Sequence, residues 1–192
     1  MLDFIIEYDH KIFLWLNNLG TENHDWFWIL ITNKLVNFLI YLLALIYLFK
    51  KINVNSLISL ILFLCFLILF SDQTANLFKN FFERLRPCHD DQIASYVRLV
   101  KQNCGGLYSF FSAHASNSFA LATFFFFIYN KIIQRKIILF FILASLVSYS
   151  RVYIGVHYPL DIISGSFFGL ISGFIFFRFW VFSLKRINIS NF

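Results

Sequence analysis

The chain has 192 residues, of which 59% are hydrophobic, 14% are charged and 28 are phenylalanine. This composition excludes a soluble domain with a solvated surface and indicates an integral membrane protein. The formal net charge of +6 fits anionic lipid headgroups better than nucleic acid.

The N-terminal segment 2–19 predicts an amphipathic helix that lies along the membrane surface. Its ionisable side chains rule against spanning: Asp3, Glu7, Asp9, His10 and Lys11. Its apolar side chains recur at helical spacing: Leu2, Ile5, Ile6, Ile12, Phe13, Leu16 and Leu19. This combination is typical of an interfacial helix. A removable signal peptide is not expected, because no cationic region with a cleavage site is present.

Hydropathy predicts about five membrane-spanning helices after this segment. A helix crosses the hydrocarbon with roughly 20 apolar residues, and the candidate stretches are approximately 26–49, 54–78, 112–130, 137–150 and 160–182. The first begins with Asn33, Lys34 and Asn37, so its membrane portion is expected to start nearer Leu35. The sequence therefore predicts an all-α, polytopic membrane bundle.

Basic residues between the spans indicate the orientation of the bundle. Alternating spans place three basic clusters on one side, namely Lys50-Lys51, Lys131 with Arg135 and Lys136, and Lys185-Arg186. The positive-inside rule makes that side cytoplasmic. The opposite side carries a similar number of cations, half of which belong to chemical motifs: Lys79, Arg84, Arg86, Arg98, Lys101 and Arg151.

Three motifs lie at the ends of spans on the outer side. In chain order they are Lys79 with Arg86-Pro87, then Ser112-Ala113-His114, then Ser150-Arg151 with His157 and Asp161. Hydropathy and loop charge alone bring them to one face. Two histidines, a carboxylate, a serine and three cations are what hydrolysis of a phosphate ester through a phosphohistidine needs.

The cations and the serine suit phosphate binding. Lys79, Arg86 and Arg151 would hold the phosphate oxygens, because arginine donates in a bidentate way and lysine supplies a compact charge. Isolated interfacial cations commonly snorkel or set topology, so this interpretation depends on the whole pattern. Ser112 precedes an apolar run and is predicted to cap a helix whose first N–H groups, at Ala113 and His114, bind phosphate.

The motifs resemble those of the type 2 phosphatidic acid phosphatase family, which is related to vanadium haloperoxidases. The family pattern is K-x6-RP, PSGH and SR-x5-H-x3-D. The first and third match at residues 79–87 and 150–161, whereas the second reads Phe111-Ser112-Ala113-His114, with Phe and Ala in place of Pro and Gly. The resemblance covers about residues 70–175 and implies an antiparallel helical core.

The resemblance implies a role for each histidine. His157 would attack phosphorus, while Asp161 accepts a hydrogen bond from its other ring nitrogen and stabilises the developing charge. His114 would protonate the leaving oxygen and then activate the water that cleaves the phosphohistidine. The histidines and carboxylates lack metal-ligand spacing, so we expect no metal and no other cofactor.

The polar loop over about 80–111 is expected to cover the site. Cys88 and Cys104 lie near its ends and are expected to form a disulfide on an outer face, with two free thiols as the alternative. Tyr108, Phe110 and Phe111 are expected to anchor the loop at the membrane interface, with an apolar lip for a lipid tail as the alternative.

These features predict a single-domain, metal-independent membrane phosphatase over residues 1–192. It would remove a terminal phosphate from a lipid phosphate or diphosphate at the periplasmic face of a bacterial cytoplasmic membrane. The resemblance makes undecaprenyl diphosphate the first expected substrate, with a lipid A 1- or 4'-phosphatase, a phosphatidylglycerol phosphate phosphatase or a phosphatidic acid phosphatase as alternatives. A non-catalytic lipid-phosphate binder or transporter is the alternative from another class, although binding alone does not require a nucleophile, an acid and an orienting carboxylate.

Overall fold

The computed structural model describes residues 2–186. Within them, seven α-helices follow one another: α1 Leu2–Asn18, α2 Glu22–Ile31, α3 Lys34–Phe49, α4 Val54–Phe82, α5 Ala113–Ile133, α6 Leu139–Tyr153 and α7 Pro159–Arg186. The predicted all-α fold is confirmed. The single-domain prediction also included residue 1 and residues 187–192, which lie outside the described residues.

Helix α5 is the centre of the bundle and packs against α4, α6 and α7. Its contact with α7 is the closest, because Gly165, Gly169 and Gly173 of α7 face it. A Cβ atom on Gly169 would lie 2.3 Å from the carbonyl oxygen of Ser116. Small residues at four-residue spacing let two membrane helices approach until their backbones touch, and here they fix the register of α5 on α7.

The main apolar core lies in the half of the bundle away from the three motifs. Its largest fully buried side chains include Phe124, Phe125 and Ile128 of α5, and Trp180 of α7. Large apolar side chains on the outside of the helices are exposed, as expected for contact with lipid: Leu43, Phe66, Leu69, Ile163, Phe167 and Phe179. Interior packing therefore holds one end of the bundle together, and the other end is left for polar groups.

Helices α4 and α7 are each long and apolar enough to cross a membrane, and α2 with α3 would add a third crossing if the bent pair forms one span. Helix α6 is apolar but shorter. The number of five spans stays a prediction.

The first predicted span, 26–49, is wrong as a continuous helix. Helix α2 ends at Ile31, α3 begins at Lys34, and their axes differ by 49°. The side-chain oxygen of Asn33 accepts a hydrogen bond from the N–H of Leu35 at 2.8 Å, so Asn33 caps α3. The start of α3 agrees with the expectation that the membrane portion begins near Leu35.

Helix α1 forms where it was predicted, but a partly polar stripe faces the bundle. Asp9, Phe13 and Asn17 recur every four residues and are all buried, whereas Ile5 and Ile12 are exposed. The stripe packs against α6 and α7. The exposed apolar side suits a membrane surface, and the buried side is part of the protein interior.

The loop between α4 and α5 is displaced slightly from the predicted range 80–111. Helix α4 continues to Phe82, where Glu83 ends it in the left-handed conformation with φ 48°, and α5 begins at Ala113. Lys79 therefore lies in the last turn of a helix. Its position is set by α4, whereas that of Arg86 is set by the loop.

Candidate active site

The three motifs meet at one end of the bundle, where α4 and α6 end and α5 and α7 begin. A main-chain hydrogen bond joins two of them, because the N–H of Ser112 donates to the carbonyl of Asp161 at 3.1 Å. Lys79 and Arg86 of the first motif lie close enough to His157 for their charges to act on its ring. The structure thus brings residues of all three motifs together.

His157 and Asp161 form a buried hydrogen-bonded pair. His157 lies in the short connection between α6 and α7 and is 2% exposed, and Asp161 in the first turn of α7 is fully buried. Nδ1 of His157 lies 3.2 Å from Oδ2 of Asp161. Because a carboxylate accepts, Nδ1 carries the proton and Nε2 keeps its lone pair. That tautomer is the one a nucleophilic imidazole requires.

The surroundings of His157 favour its neutral form. Burial lowers the pKa of His157 well below its ordinary value, and the positive charges of Arg151, Arg86 and Lys79 lower it further. The imidazole is therefore uncharged at neutral pH. A neutral nucleophile among three cations suits attack on an anionic centre.

Arg151 is a buried cation without a carboxylate partner. It is 7% exposed, its Nη1 donates to the hydroxyl of Thr32 at 2.7 Å, and its Nε has no partner among the described residues. Lys79 makes neither a hydrogen bond nor an ion pair within residues 2–186. Two positive charges at this end of the bundle are thus left uncompensated by direct ion pairs, a costly arrangement unless an anion binds.

The loop between α4 and α5 holds Arg86 by its main chain. Nη1 donates to the carbonyl of Cys104 at 2.6 Å and Nε donates to that of Tyr108 at 3.2 Å. Cys88 and Cys104 are joined by a disulfide with Cα atoms 6.3 Å apart, within the usual range. Gly105, at φ +84°, gives the guanidinium room, since a Cβ there would lie 3.0 Å from Nη1. The orientation of Arg86 is therefore set by neutral carbonyl groups, so its positive charge remains available to an anionic ligand.

Two other arginines on this side of the molecule are paired with carboxylates. Arg98 donates to Asp25 at 2.6 Å, and Arg84 donates to two carboxylates, those of Asp9 at 2.6 Å and Asp161 at 3.1 Å. Among the arginines on this side, only Arg86 and Arg151 of the motifs lack a carboxylate partner in the part of the chain that the structure describes. The lysines Lys79 and Lys101 lack one there as well.

The N-terminus of α5 points its first N–H groups towards this end of the bundle. Ser112 is the N-cap, and its Oγ accepts from the N–H of Ala115 at 3.4 Å, as predicted. The main-chain N–H groups of Ala113 and His114 precede the first intrahelical hydrogen bonds, so they are available to an anion. The ring of His114 lies within reach of the charges of Arg151 and His157.

Phe111, which replaces the proline of the family pattern, is neither an interfacial anchor nor a lip. It is 2% exposed, and its ring centroid lies 5.2 Å from those of both Phe78 and Phe168. It therefore packs between α4 and α7 directly before the α5 cap. The anchoring expected of this residue is wrong, because the side chain turns into the bundle.

Sequence reasoning missed several residues near the site, among them Ser109, whose side chain hydrogen-bonds Asp161. Thr32 accepts from Arg151, Arg84 binds Asp161, and Asp9 binds Arg84. Arg84 lies inside the first motif, but the family pattern specifies no residue type at its position. The four-residue spacing of Asp9 with Phe13 was the available sign that α1 buries a polar stripe.

Cys88, His89 and Cys104 place possible ligand atoms within 4.8 Å of one another. Both sulfurs are joined in the disulfide, and metals bind the thiolate form of cysteine. The cluster therefore does not provide a metal site in this state.

Comparison with protein families gives one match across most of the chain. A family model described as the PAP2 superfamily matches residues 60–185. A lipid A 4'-phosphatase of Porphyromonas gingivalis is 32% identical over 188 residues, which cover 96% of this chain and 78% of the relative. A lipid A 4'-phosphatase of Bacteroides thetaiotaomicron is 31% identical over 180 residues, which cover 92% and 79%.

Two solved structures are similar to the fold. The crystal structure of Aquifex aeolicus LpxE has a TM-score of 0.63 and 25% identity, covering 88% of this chain and 93% of that one. A PAP2-type phosphatidylglycerolphosphate phosphatase from Bacillus subtilis has a TM-score of 0.73 and 19% identity, covering 91% and 85%. At that identity the second comparison concerns the fold alone.

Proposed function

Because this chain belongs to the PAP2 superfamily and is a membrane lipid phosphatase of that type, we propose that it removes the 4'-phosphate of lipid A. Two relatives that share about a third of their residues with nearly the whole chain carry that activity in their names. Lipid A was one of the alternatives that the sequence left open. Undecaprenyl diphosphate, expected first, has less support because neither of these relatives is named for it.

One observation supports phosphoryl transfer most strongly. Three cations, Lys79, Arg86 and Arg151, surround a buried neutral His157 and make no ion pair among the described residues. A phosphate group would supply the missing negative charge and bring phosphorus next to the free ring nitrogen. Charge on the equatorial oxygens, which spreads in the transition state, would meet fixed donors.

The proposed first half-reaction forms a phosphohistidine. Nε2 of His157 donates its lone pair to phosphorus as the bond from phosphorus to the sugar oxygen breaks. The negative charge of the bound phosphate favours a protonated His114, which gives the leaving oxygen its proton, so the sugar leaves as an alcohol. Asp161, which accepts from Nδ1, stabilises the positive charge that the ring acquires.

The second half-reaction returns the enzyme to its starting state. His114, now neutral, takes a proton from water while the water oxygen bonds to phosphorus. The bond between phosphorus and Nε2 breaks, and its electron pair returns to His157. Inorganic phosphate leaves, held until then by Lys79, Arg86 and Arg151. Positive charge comes from side chains throughout, so this proposal involves no metal.

The proposed location is the outer surface of a bacterial cytoplasmic membrane. The loop that covers the site carries the disulfide between Cys88 and Cys104, and disulfides persist in oxidising compartments such as the periplasm. The basic clusters at the opposite end of the bundle fit the cytoplasmic side. Both observations support a site that faces the periplasm.

Phosphate release from purified lipids would test this proposal. The protein in detergent with excess EDTA is offered lipid A, undecaprenyl diphosphate and phosphatidylglycerol phosphate separately, with His157→Ala as the control. We expect the highest kcat/KM on lipid A, loss of the 4'-phosphate by mass spectrometry, and no release by the variant. A faster reaction with another lipid would overturn the substrate. Lipid binding without release by folded protein would favour the binder or transporter, and reversible inactivation by EDTA would contradict metal independence.

A further inference from the structure

Behind the His157–Asp161 pair, Arg84 bridges two buried carboxylates. Its Nη1 donates to Oδ1 of Asp161 at 3.1 Å, and its Nη2 donates to Oδ2 of Asp9 at 2.6 Å. Asp9 is 3% exposed and Asp161 is fully buried. Asp9 belongs to α1, outside the region of the three motifs. The N-terminal helix is thereby connected to the reacting histidine through one arginine and one carboxylate.

Arg84 completes the coordination of Asp161. Oδ2 of Asp161 accepts from Nδ1 of His157 at 3.2 Å and from the N–H of Tyr158 at 3.0 Å, so Oδ1 is left for Arg84. Donors on both oxygens fix the rotation of the carboxylate, and with it the plane of the imidazole. Without Arg84, the buried carboxylate of Asp161 would lose its arginine donor and keep only neutral donors beside the imidazole, the hydroxyl of Ser109 and the N–H of Tyr158. That arrangement costs free energy or favours protonation.

Asp9 fixes Arg84 from the other side. Oδ1 of Asp9 accepts from the N–H of Leu160 in the first turn of α7 at 3.0 Å. The guanidinium carbon of Arg84 lies 3.9 Å from the ring centroid of Tyr158, within cation–π range. Two carboxylates, a ring and a helix start therefore determine where Arg84 lies.

When substrate is bound, Arg84 is the cation whose charge stays with Asp161. Lys79 and Arg86 also exert their charges on Asp161, but a bound phosphate would engage both. Arg84 faces Asp9 and Asp161 instead, so its charge stays with them through the reaction. A buried carboxylate must remain ionised to stabilise the positive charge that His157 acquires.

We propose that Arg84 and Asp9 are positioning residues for Asp161, and that α1 thereby takes part in aligning the nucleophile. This inference rests on the proposed phosphohistidine chemistry. Neither side chain touches phosphate in the proposal, so both act on kcat rather than on substrate binding.

Opposite shifts in pH dependence distinguish this role from a purely structural one. In Arg84→Gln, we expect kcat to fall roughly 10- to 100-fold, as for other supporting residues behind a reacting group, with KM changed little. Its acid limb should move to higher pH because Asp161 loses a cation. In Asp9→Asn, the acid limb should move to lower pH, because Arg84 then pairs with Asp161 alone and its charge lowers the pKa of that carboxylate further. Arg84→Lys should recover part of kcat.

Arg98 provides the matched control. It pairs with Asp25 at 2.6 Å, and its guanidinium lies 5.4 Å from the ring of Tyr153, but it does not contact Asp161. Arg98→Gln should lower the Tm while leaving kcat and the pH profile unchanged. The proposal is overturned if Arg84→Gln behaves in the same way.

Vanadate binding separates failure of this inference from failure of the proposed substrate. Vanadate mimics a phosphoryl group in transfer, so its affinity reports on the aligned His157 without any lipid. We expect Arg84→Gln to weaken vanadate binding about tenfold, roughly 1.4 kcal/mol, and Arg98→Gln to leave it unchanged. Wild-type protein that binds vanadate but does not act on lipid A would overturn the substrate alone. Equal vanadate affinity in wild type and Arg84→Gln would overturn the positioning role.

Discussion

In the proposed mechanism, His157 has to be uncharged before it attacks phosphorus, and its surroundings favour the neutral form. Burial and the charges of Arg151, Arg86 and Lys79 lower its pKa well below the ordinary value. The same cations would stabilise the phosphate, so one set of side chains would both keep the proposed nucleophile neutral and bind the group that it attacks.

The pH dependence of kcat/KM should reflect this preparation. Because the neutral ring is active and its pKa is lowered, activity should persist as pH falls through about 6.5, the ordinary value for histidine, and should be lost only at lower pH. Arg86→Gln removes a positive charge, so its acid limb should lie at higher pH, and kcat/KM should fall roughly 10²–10³-fold. The measurement is kcat/KM against pH in both proteins.

Arg178→Gln is the control for loss of charge alone, since Arg178 is exposed on α7. It should leave the profile unchanged. A wild-type acid limb at or above about 6.5 would contradict the neutral, electrostatically depressed histidine.

His114 should matter in both half-reactions. His114→Ala should lower kcat on lipid substrate roughly 10²–10⁴-fold, because it removes the acid for the leaving oxygen and the base for water. With p-nitrophenyl phosphate, whose leaving group needs no proton, the first step should proceed and the phosphoenzyme should accumulate. Acid-labile phosphohistidine, measured after rapid quenching, checks this. If the quenched variant carries less phosphohistidine than wild type, His114 does not act on water.

The residues that lie at fixed spacing in the motifs were predictable from the sequence. The residues that hydrogen-bond and position the site from other helices were not. Motif spacing identified His157 with Asp161, which lie four residues apart at the start of α7. Asp9 lies 75 residues before Arg84, and Thr32 lies 119 residues before Arg151. Such contacts arise from tertiary packing, and a single sequence contains no interval that marks them.

Helix α5 provides the anion-binding N–H groups of the site, and α7 provides Asp161. The contact between these helices fixes the distance between the two parts. Ser112 starts α5, Asp161 lies in the first turn of α7, and a main-chain hydrogen bond joins them. The glycine face of α7 continues this contact into the bundle. Separation of the two helices would therefore move the anion-binding N–H groups away from His157.

Gly169→Ala tests this contact. The added Cβ would lie 2.3 Å from the carbonyl of Ser116 and 2.9 Å from the N of Ala120, so the backbones must separate. We expect destabilisation by about 1–3 kcal/mol and lower kcat, measured by thermal unfolding in detergent and by phosphate release. Phe167→Ala, on the exposed side of α7, is the control. Equal Tm values for Gly169→Ala and wild type would mean that the close approach is unnecessary.

The disulfide loop should control Arg86 in a similar way. Cys104→Ser removes a bond that spans 16 residues, worth about 2–4 kcal/mol in typical proteins, and frees the carbonyls that orient Arg86. We expect kcat/KM to fall and KM to rise, and dithiothreitol should have the same effect on wild type. Cys65→Ser, at an exposed free cysteine of α4, controls for loss of a thiol. Unchanged KM in Cys104→Ser would show that the loop positions Arg86 without the bond.

The helices were largely predictable, because long apolar runs with polar ends determine where they form. The break between α2 and α3 was only partly predictable, since Asn33 indicated a cap while the residues before it remain apolar. The buried face of α1 was not predicted, because its exposed apolar side satisfied the pattern of an interfacial helix. A single helix can face lipid on one side and protein on the other.

Along the length of the bundle, the apolar core and the polar site residues occupy opposite ends. Aromatic and aliphatic side chains fill the half of the bundle around Phe125 and Trp180, and the polar groups of the site collect at the other end. There α1 supplies Asp9, and the bend after α2 supplies Thr32. Segments outside the family core thus contribute contacts to the residues that the motifs define.

Transfer of label from lipid A to His157 would test the account most directly. Lipid A carrying ³²P at the 4' position is mixed with excess purified protein in EDTA and quenched within a single turnover. The account predicts acid-labile, base-stable label on wild-type protein that disappears as inorganic phosphate is released, and no label on His157→Ala. Label on His157→Ala, or phosphate release by that variant, would contradict His157 as the nucleophile. Intact 4'-phosphate after incubation with folded, vanadate-binding wild type would contradict lipid A as the substrate.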